Sequence, residues 1–129
     1  MIAIKDVLAI HAVLIENYGG AQGVRDLALL ESALNRPFAT FDALDLYPTA
    51  LDKAAALIES ILINHPFIDG NKRTGYVITR LYLMQNGYDI SADESQKYEF
   101  VISISKGQLD FEQIKQWLQL QTRPIKDAR

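Results

Sequence analysis

The chain contains no cysteine, which excludes disulfide staples, thiolate nucleophiles, iron-sulfur clusters and thiolate zinc sites, and fits a reducing compartment. Histidine is scarce, and two residues of it cannot furnish a two-metal hydrolytic centre. Basic residues are not in excess either: the formal net charge is -3 over 129 residues, so no global field draws in nucleic acid and any phosphate chemistry must come from a local cluster. No apolar run approaches the roughly 20 residues of a membrane span. The opening MIAIKDVLAIHAVL is broken by Lys5, Asp6 and His11 and has no small-residue cleavage site, as expected of a soluble cytoplasmic protein. Repeats, low-complexity tracts and linkers are missing as well, so residues 1–129 read as one domain, with 49% hydrophobic residues to fill its core.

What is present is helix punctuation. Ile4, Val7, Leu8, His11, Leu14 and Ile15 recur at helical spacing before Gly19 and Gly20. Asp26 can cap a second helix, which must end before Pro37. Residues 36–48 hold two prolines and three aromatics without a period and read as a loop or short hairpin. Thr49 opens a long third helix through Leu51, Ala54, Ala55, Ile58, Ile61 and Leu62. After HPFIDG, a fourth helix runs from about Asn71 to Asn86; Tyr76, Val77, Ile78, Leu81, Tyr82, Leu83 and Met84 make it apolar nearly all round and mark it as the buried spine. Ser91 or Asp93 caps a fifth helix and Asp110 a sixth, and residues 122–129 read as a frayed tail. The expected class is all-α, a bundle of about six helices.

Polar chemistry concentrates in residues 65–73, HPFIDGNKR, between the two strongest helices. A helix N-terminus offers unpaired amides and a positive dipole end. Lys72 and Arg73 can neutralise a polyphosphate there, Gly70 can let a ligand approach the backbone, and Asp69 can hold a magnesium ion already bound to phosphate oxygens. His65 is then free to act as a general base. Each of these residues also has an ordinary use as a cap, turn or solvated first turn. Two cations nevertheless oppose the dipole in a first turn, at a cost of up to about 1 kcal/mol, and that points to an anionic partner. Phe67 is placed to drop into the core and pin the loop. His11, on the apolar stripe of the first helix, reads as a hydrogen-bonded core histidine.

HPFIDGNKR resembles the signature of the Fic/Doc superfamily, His-x-Phe-x-Asp/Glu-Gly-Asn-x-Arg, with every fixed position filled. GVRDLALLESALNRPFATF, the YPTALDKAAALIESILINHPF approach and the short length are similar to its Doc (death on curing) branch, the toxins of toxin-antitoxin modules. The resemblance runs roughly from Ile4 to Ile90. It implies that His65 is the general base, that Asp69 binds Mg2+, that Gly70, Asn71, Lys72 and Arg73 hold the phosphates of ATP, and that Phe67 is structural. It also implies that residues 36–48 form a flap, with Phe38, Phe41 and Tyr47 docking the target; these aromatics can equally well cap the core.

Two positions depart from the adenylylating members, which usually have glycine where this chain has Lys72 and a second arginine where it has Tyr76. The added side chain and the lost bidentate clamp remodel phosphate binding, as in the Doc branch. The resemblance therefore implies phosphate transfer from ATP to a threonine or serine of elongation factor Tu, halting translation, with AMP transfer as the alternative and a non-catalytic toxin as the reading from another class. Ser95-Gln-Lys-Tyr-Glu99 followed by Phe100 fails to match a built-in inhibitory helix. Inhibition is therefore expected from a cognate antitoxin whose disordered segment folds as a helix on binding.

Overall fold

The computed structural model describes residues 2–125 and is mostly helical. Among the described residues, six α-helices run in chain order: α1 (Ile4–Tyr18), α2 (Leu27–Asn35), α3 (Ala50–Asn64), α4 (Asn71–Gln85), α5 (Glu94–Ser105) and α6 (Phe111–Gln121). Two small antiparallel pairs complete it, β1 (Thr40–Phe41) with β2 (Leu44–Asp45), and β3 (Tyr88–Ile90) with β4 (Thr122–Pro124).

Four of these six helices start where short acceptor side chains can reach the amide three residues on. Asp26 accepts from the Leu29 amide, and Thr49, Asp93 and Asp110 each form a reciprocal capping box with Asp52, Gln96 and Gln113. Of the two residues proposed to cap α5, Asp93 does so.

The spine of the fold is α3, and the expectation that α4 would fill that role is corrected. Ala54, Ala55, Ala56, Leu57, Ile58, Ile61 and Leu62 of α3 are fully buried, and α2, α4, α5 and α6 all pack on this helix. Three consecutive alanines let neighbours approach closely on every side. On α4, Leu81 and Met84 face solvent despite their apolar character, and only one face of the helix enters the core.

The tail expectation is also corrected in part. Residues 122–124 pair with β3 in the register Tyr88 with Pro124, Asp89 with Arg123 and Ile90 with Thr122. The buried Thr122 hydroxyl donates to the Leu118 carbonyl at 2.7 Å, and the Ile125 amide donates to the Gly87 carbonyl at 2.8 Å. Residues 126–129 lie outside the described residues.

Residues 36–48 contain a short 3-10 turn, Arg36–Phe38, and then the β1–β2 hairpin. Its tip, Asp42 and Ala43, has φ of 54° and 64°, the left-handed geometry that tight hairpins require.

Candidate active site

The geometry of residues 65–73 rests on how α3 ends and α4 begins. His65 closes α3 in the left-handed conformation, with φ 48° and ψ 60°. That geometry costs a residue with a Cβ roughly 1–2 kcal/mol, and a clamp offsets it. Arg25 Nε donates to the His65 carbonyl at 2.7 Å and its terminal nitrogen to the Asn64 carbonyl at 2.6 Å. The guanidinium thereby satisfies two open carbonyls at the negative end of α3. The turn leaves His65 exposed.

The following segment is strapped down by backbone pairing to residues 23–26. The Arg25 and Asp26 amides donate to the Pro66 carbonyl at 2.8 and 3.0 Å, and the Ile68 amide donates to the Gly23 carbonyl at 3.1 Å. Phe67, 1% exposed, drops into the core and stacks on His11 with ring centroids 3.9 Å apart and planes 6° apart. His11, buried as expected, has Nε2 2.8 Å from the Asp69 carbonyl oxygen, so the ring serves as the donor that props the loop from beneath.

Asn71 closes the turn with its own amide. Its Oδ1 accepts from the Phe67 amide at 2.9 Å, and its Nδ2 donates to the Phe67 carbonyl at 3.0 Å. The side chain is thus engaged with backbone, one N–H being left for another partner. Gly70, with φ 75°, caps α4 without a side-chain acceptor. Its missing Cβ faces inward: a methyl there would lie 2.8 Å from Ile15 Cδ1, so the positive φ and the close approach of α1 both favour glycine. Gly70 also lines the cavity beside the α4 N-terminus.

This leaves the N-terminus of α4 with no side-chain cap and no acidic residue in its first turn. Lys72 and Arg73 are exposed, and among the described residues neither forms a salt bridge; the Arg73 guanidinium lies 4.1 Å from the Tyr18 ring centroid. Open amides, a positive dipole end and two free cations together suit an anion.

A cavity of about 400 Å³ opens beside this terminus. Asp69, Asn71, Lys72 and Arg73 line one side; Lys97, Tyr98 and Ile102 of α5 line the other. His65 is not among the lining residues and stands outside, toward solvent. Sequence reasoning did not single out the α5 wall or the Arg25 clamp for the site. The helical spacing of Lys97 with Val101, and of Tyr98 with Ile102, was the available signal for the wall.

Asp69 suits a hard cation shared with phosphate oxygens. Its Oδ2 accepts from the Ala21 amide at 3.1 Å and its Oδ1 from its neighbour Gly70 at 2.9 Å, so each oxygen keeps a free lone pair. No group of three or more His, Asp or Glu gathers to hold a metal among the described residues.

The proposed docking aromatics fall into two groups. Phe41 is 74% exposed at the hairpin, beside the exposed Leu44 and Leu46. Phe38 and Tyr47 are half-buried at its base. Phe38 packs edge-on against Tyr82, and Tyr47 packs against Phe111 while its hydroxyl accepts from Arg36 Nε at 3.0 Å. Arg36 also pairs with Glu59 at 2.8 Å, which fixes the hairpin to α3.

The fold and the motif loop define a helical domain with an uncapped, cationic helix start beside an exposed histidine. Residues 2–83 match the model of the Fic/DOC family, and the chain belongs to that family. It is similar to a protein of Mycolicibacterium smegmatis (strain ATCC 700084 / mc(2)155) called Toxin Doc, with 43% identity over 89 residues, 69% of this chain. The match spans 66% of that relative's length. No helix among the described residues is long and apolar enough to cross a membrane.

Proposed function

We propose that the chain is a Doc-type toxin that transfers the γ-phosphate of ATP to a threonine or serine hydroxyl of a translation factor, elongation factor Tu in particular. It acts in the cytoplasm and is silenced by a cognate antitoxin. The observation that carries this reading is the exposed His65 at the end of α3, set one short turn from the uncapped, doubly cationic start of α4 and its cavity. The similarity to Toxin Doc supports the choice of toxin.

In this reading the nucleotide lies in the cavity and the acceptor arrives from solvent past the hairpin, with Phe41, Leu44 and Leu46 as apolar anchors. The hydroxyl oxygen forms a bond to the γ-phosphorus as the bond from that phosphorus to the β–γ bridging oxygen breaks. ADP leaves, and His65 takes the hydroxyl proton. Lys72, Arg73 and the α4 amides offset charge on the transferring group, while Asn71 keeps those amides aligned by holding Phe67. Mg2+ held by Asp69 and phosphate oxygens would supply further neutralisation.

Incubation of purified protein with translation factors and ATP labelled at the α or the γ position tests the reading. Label from the γ position alone is expected on the target. Label from the α position would instead establish AMP transfer. His65→Ala should fold, since the side chain is exposed, and abolish modification and toxicity. A variant that remains toxic would establish a non-catalytic binding mode.

A further inference from the structure

The cavity holds a third cation that the motif does not supply. Lys97, on α5, lines it together with Tyr76 and Glu94. The Lys97 side chain is only 22% exposed, and its sole carboxylate partner among the described residues, Glu94, is 95% exposed and meets it at a long 3.4 Å. A contact this long, to so exposed a carboxylate, neutralises the ammonium only weakly. The ammonium nitrogen lies 6.0 Å from the centroid of the Tyr76 ring, whose hydroxyl is buried without a hydrogen-bond partner. Burial works against the charge, yet Tyr76 and Glu94 outweigh it and hold the Lys97 pKa above the ordinary lysine value. A cation short of an anion and a hydroxyl short of a partner therefore meet at one place on the cavity wall.

That place is one step removed from the helix start. Tyr76 follows Arg73 by three positions and Lys72 by four, so it sits one turn, about 5 Å, further along the same face of α4. A single phosphate on the α4 amides does not extend that far, whereas a di- or triphosphate does.

We infer that Lys97 binds the phosphate chain of a nucleoside polyphosphate one turn beyond the phosphate held by Lys72, Arg73 and the α4 amides, with the Tyr76 hydroxyl donating to the same chain. The inference rests on the nucleotide-dependent reading above and adds to it a requirement for polyphosphate length, set by α5.

The test is calorimetric titration of ATP, ADP, AMP and adenosine into the full chain, comparing the wild type with Lys97→Met, Lys97→Arg and Tyr76→Phe. Loss of one charge-assisted phosphate contact should weaken ATP and ADP about tenfold in Lys97→Met and change AMP and adenosine less than about twofold. Lys97→Arg should stay within about threefold of the wild type for ATP, and Tyr76→Phe should lose about threefold. Equal losses for adenosine and ATP would make Lys97 a packing residue and overturn the inference. So would unchanged ATP binding by Lys97→Met where the wild type binds. If Lys97→Met fails to fold, Lys97→Gln is judged by the same comparison. A wild-type chain that binds none of the four ligands would overturn the nucleotide reading itself, and this inference with it.

Discussion

Replacing Arg25 by methionine removes two short hydrogen bonds together, those to the carbonyls of His65 at 2.7 Å and Asn64 at 2.6 Å. A charged donor contributes roughly 1.5–3 kcal/mol to a shielded hydrogen bond. Arg25 is exposed, however, and both carbonyls sit at the open end of a helix where water can replace it. About 1 kcal/mol for each bond, and so about 2 kcal/mol together, is the expected loss of stability, or a melting temperature lower by roughly 6–10 °C in a chain of this size. The larger effect falls on chemistry. Without the clamp, only the backbone pairing of Pro66 and Ile68 to residues 23–26 still holds the left-handed turn at His65, and a shift of about 1 Å in a catalytic group costs on the order of 100-fold in rate. Transfer of label from γ-labelled ATP should therefore drop about 100-fold at temperatures where circular dichroism shows the variant fully folded. Arg25→Lys keeps the charge but not the two-pronged geometry, and should fall between. A methionine variant that melts lower yet transfers at the wild-type rate would refute the link between clamp and histidine. One with an unchanged melting temperature would refute the energetic argument.

Gly70→Ala should destabilise the fold by roughly 1–3 kcal/mol, because it combines a positive φ with a methyl 2.8 Å from Ile15 Cδ1; chemical denaturation measures it, and a variant as stable as the wild type would mean that α1 yields easily. Arg80 makes two hydrogen bonds to Asp89, at 2.8 and 3.1 Å, which hold the Asp89 carboxyl below the ordinary carboxylate range. A lowered carboxylate contributes stability above its unfolded pKa of about 3.9 and loses it as pH falls through the folded value. Asp89→Asn should then cost about 0.5–1 kcal/mol at pH 7, since both partners are partly exposed, and the difference from the wild type should vanish in acid below that window. A difference that persists there would show that the asparagine itself disturbs β3.

The helix boundaries were legible because their signals are local. Asp26, Thr49, Asp93 and Asp110 each act on an amide three residues away, and glycines or a proline follow within a turn or two of several helix ends. The spine was misread because apolar content measures what a helix could bury, whereas depth depends on how closely its neighbours approach; Ala54, Ala55 and Ala56 permit that approach, and Leu81 and Met84 are left outside. The β3–β4 pairing joins segments more than 30 positions apart and three residues long, too short for a period to show. In the site, the motif itself was readable from its chemistry, as were the core placements of Phe67 and His11. The Arg25 clamp was not, because an arginine in a loop carries no mark of the carbonyls it will reach 40 positions downstream. Lys97 and Tyr98 join the site only once α5 is laid against α4.

The helix that ends in His65 is the most deeply packed one described, so the proposed base stands on the element with the most neighbours to hold it. Bending it out of line would require lifting neighbours off the alanine run, at a cost comparable to opening the core. A binding partner has little mechanical purchase there. The antitoxin proposed above would accordingly have to block the entrance, and its release would restore a centre that never lost its shape.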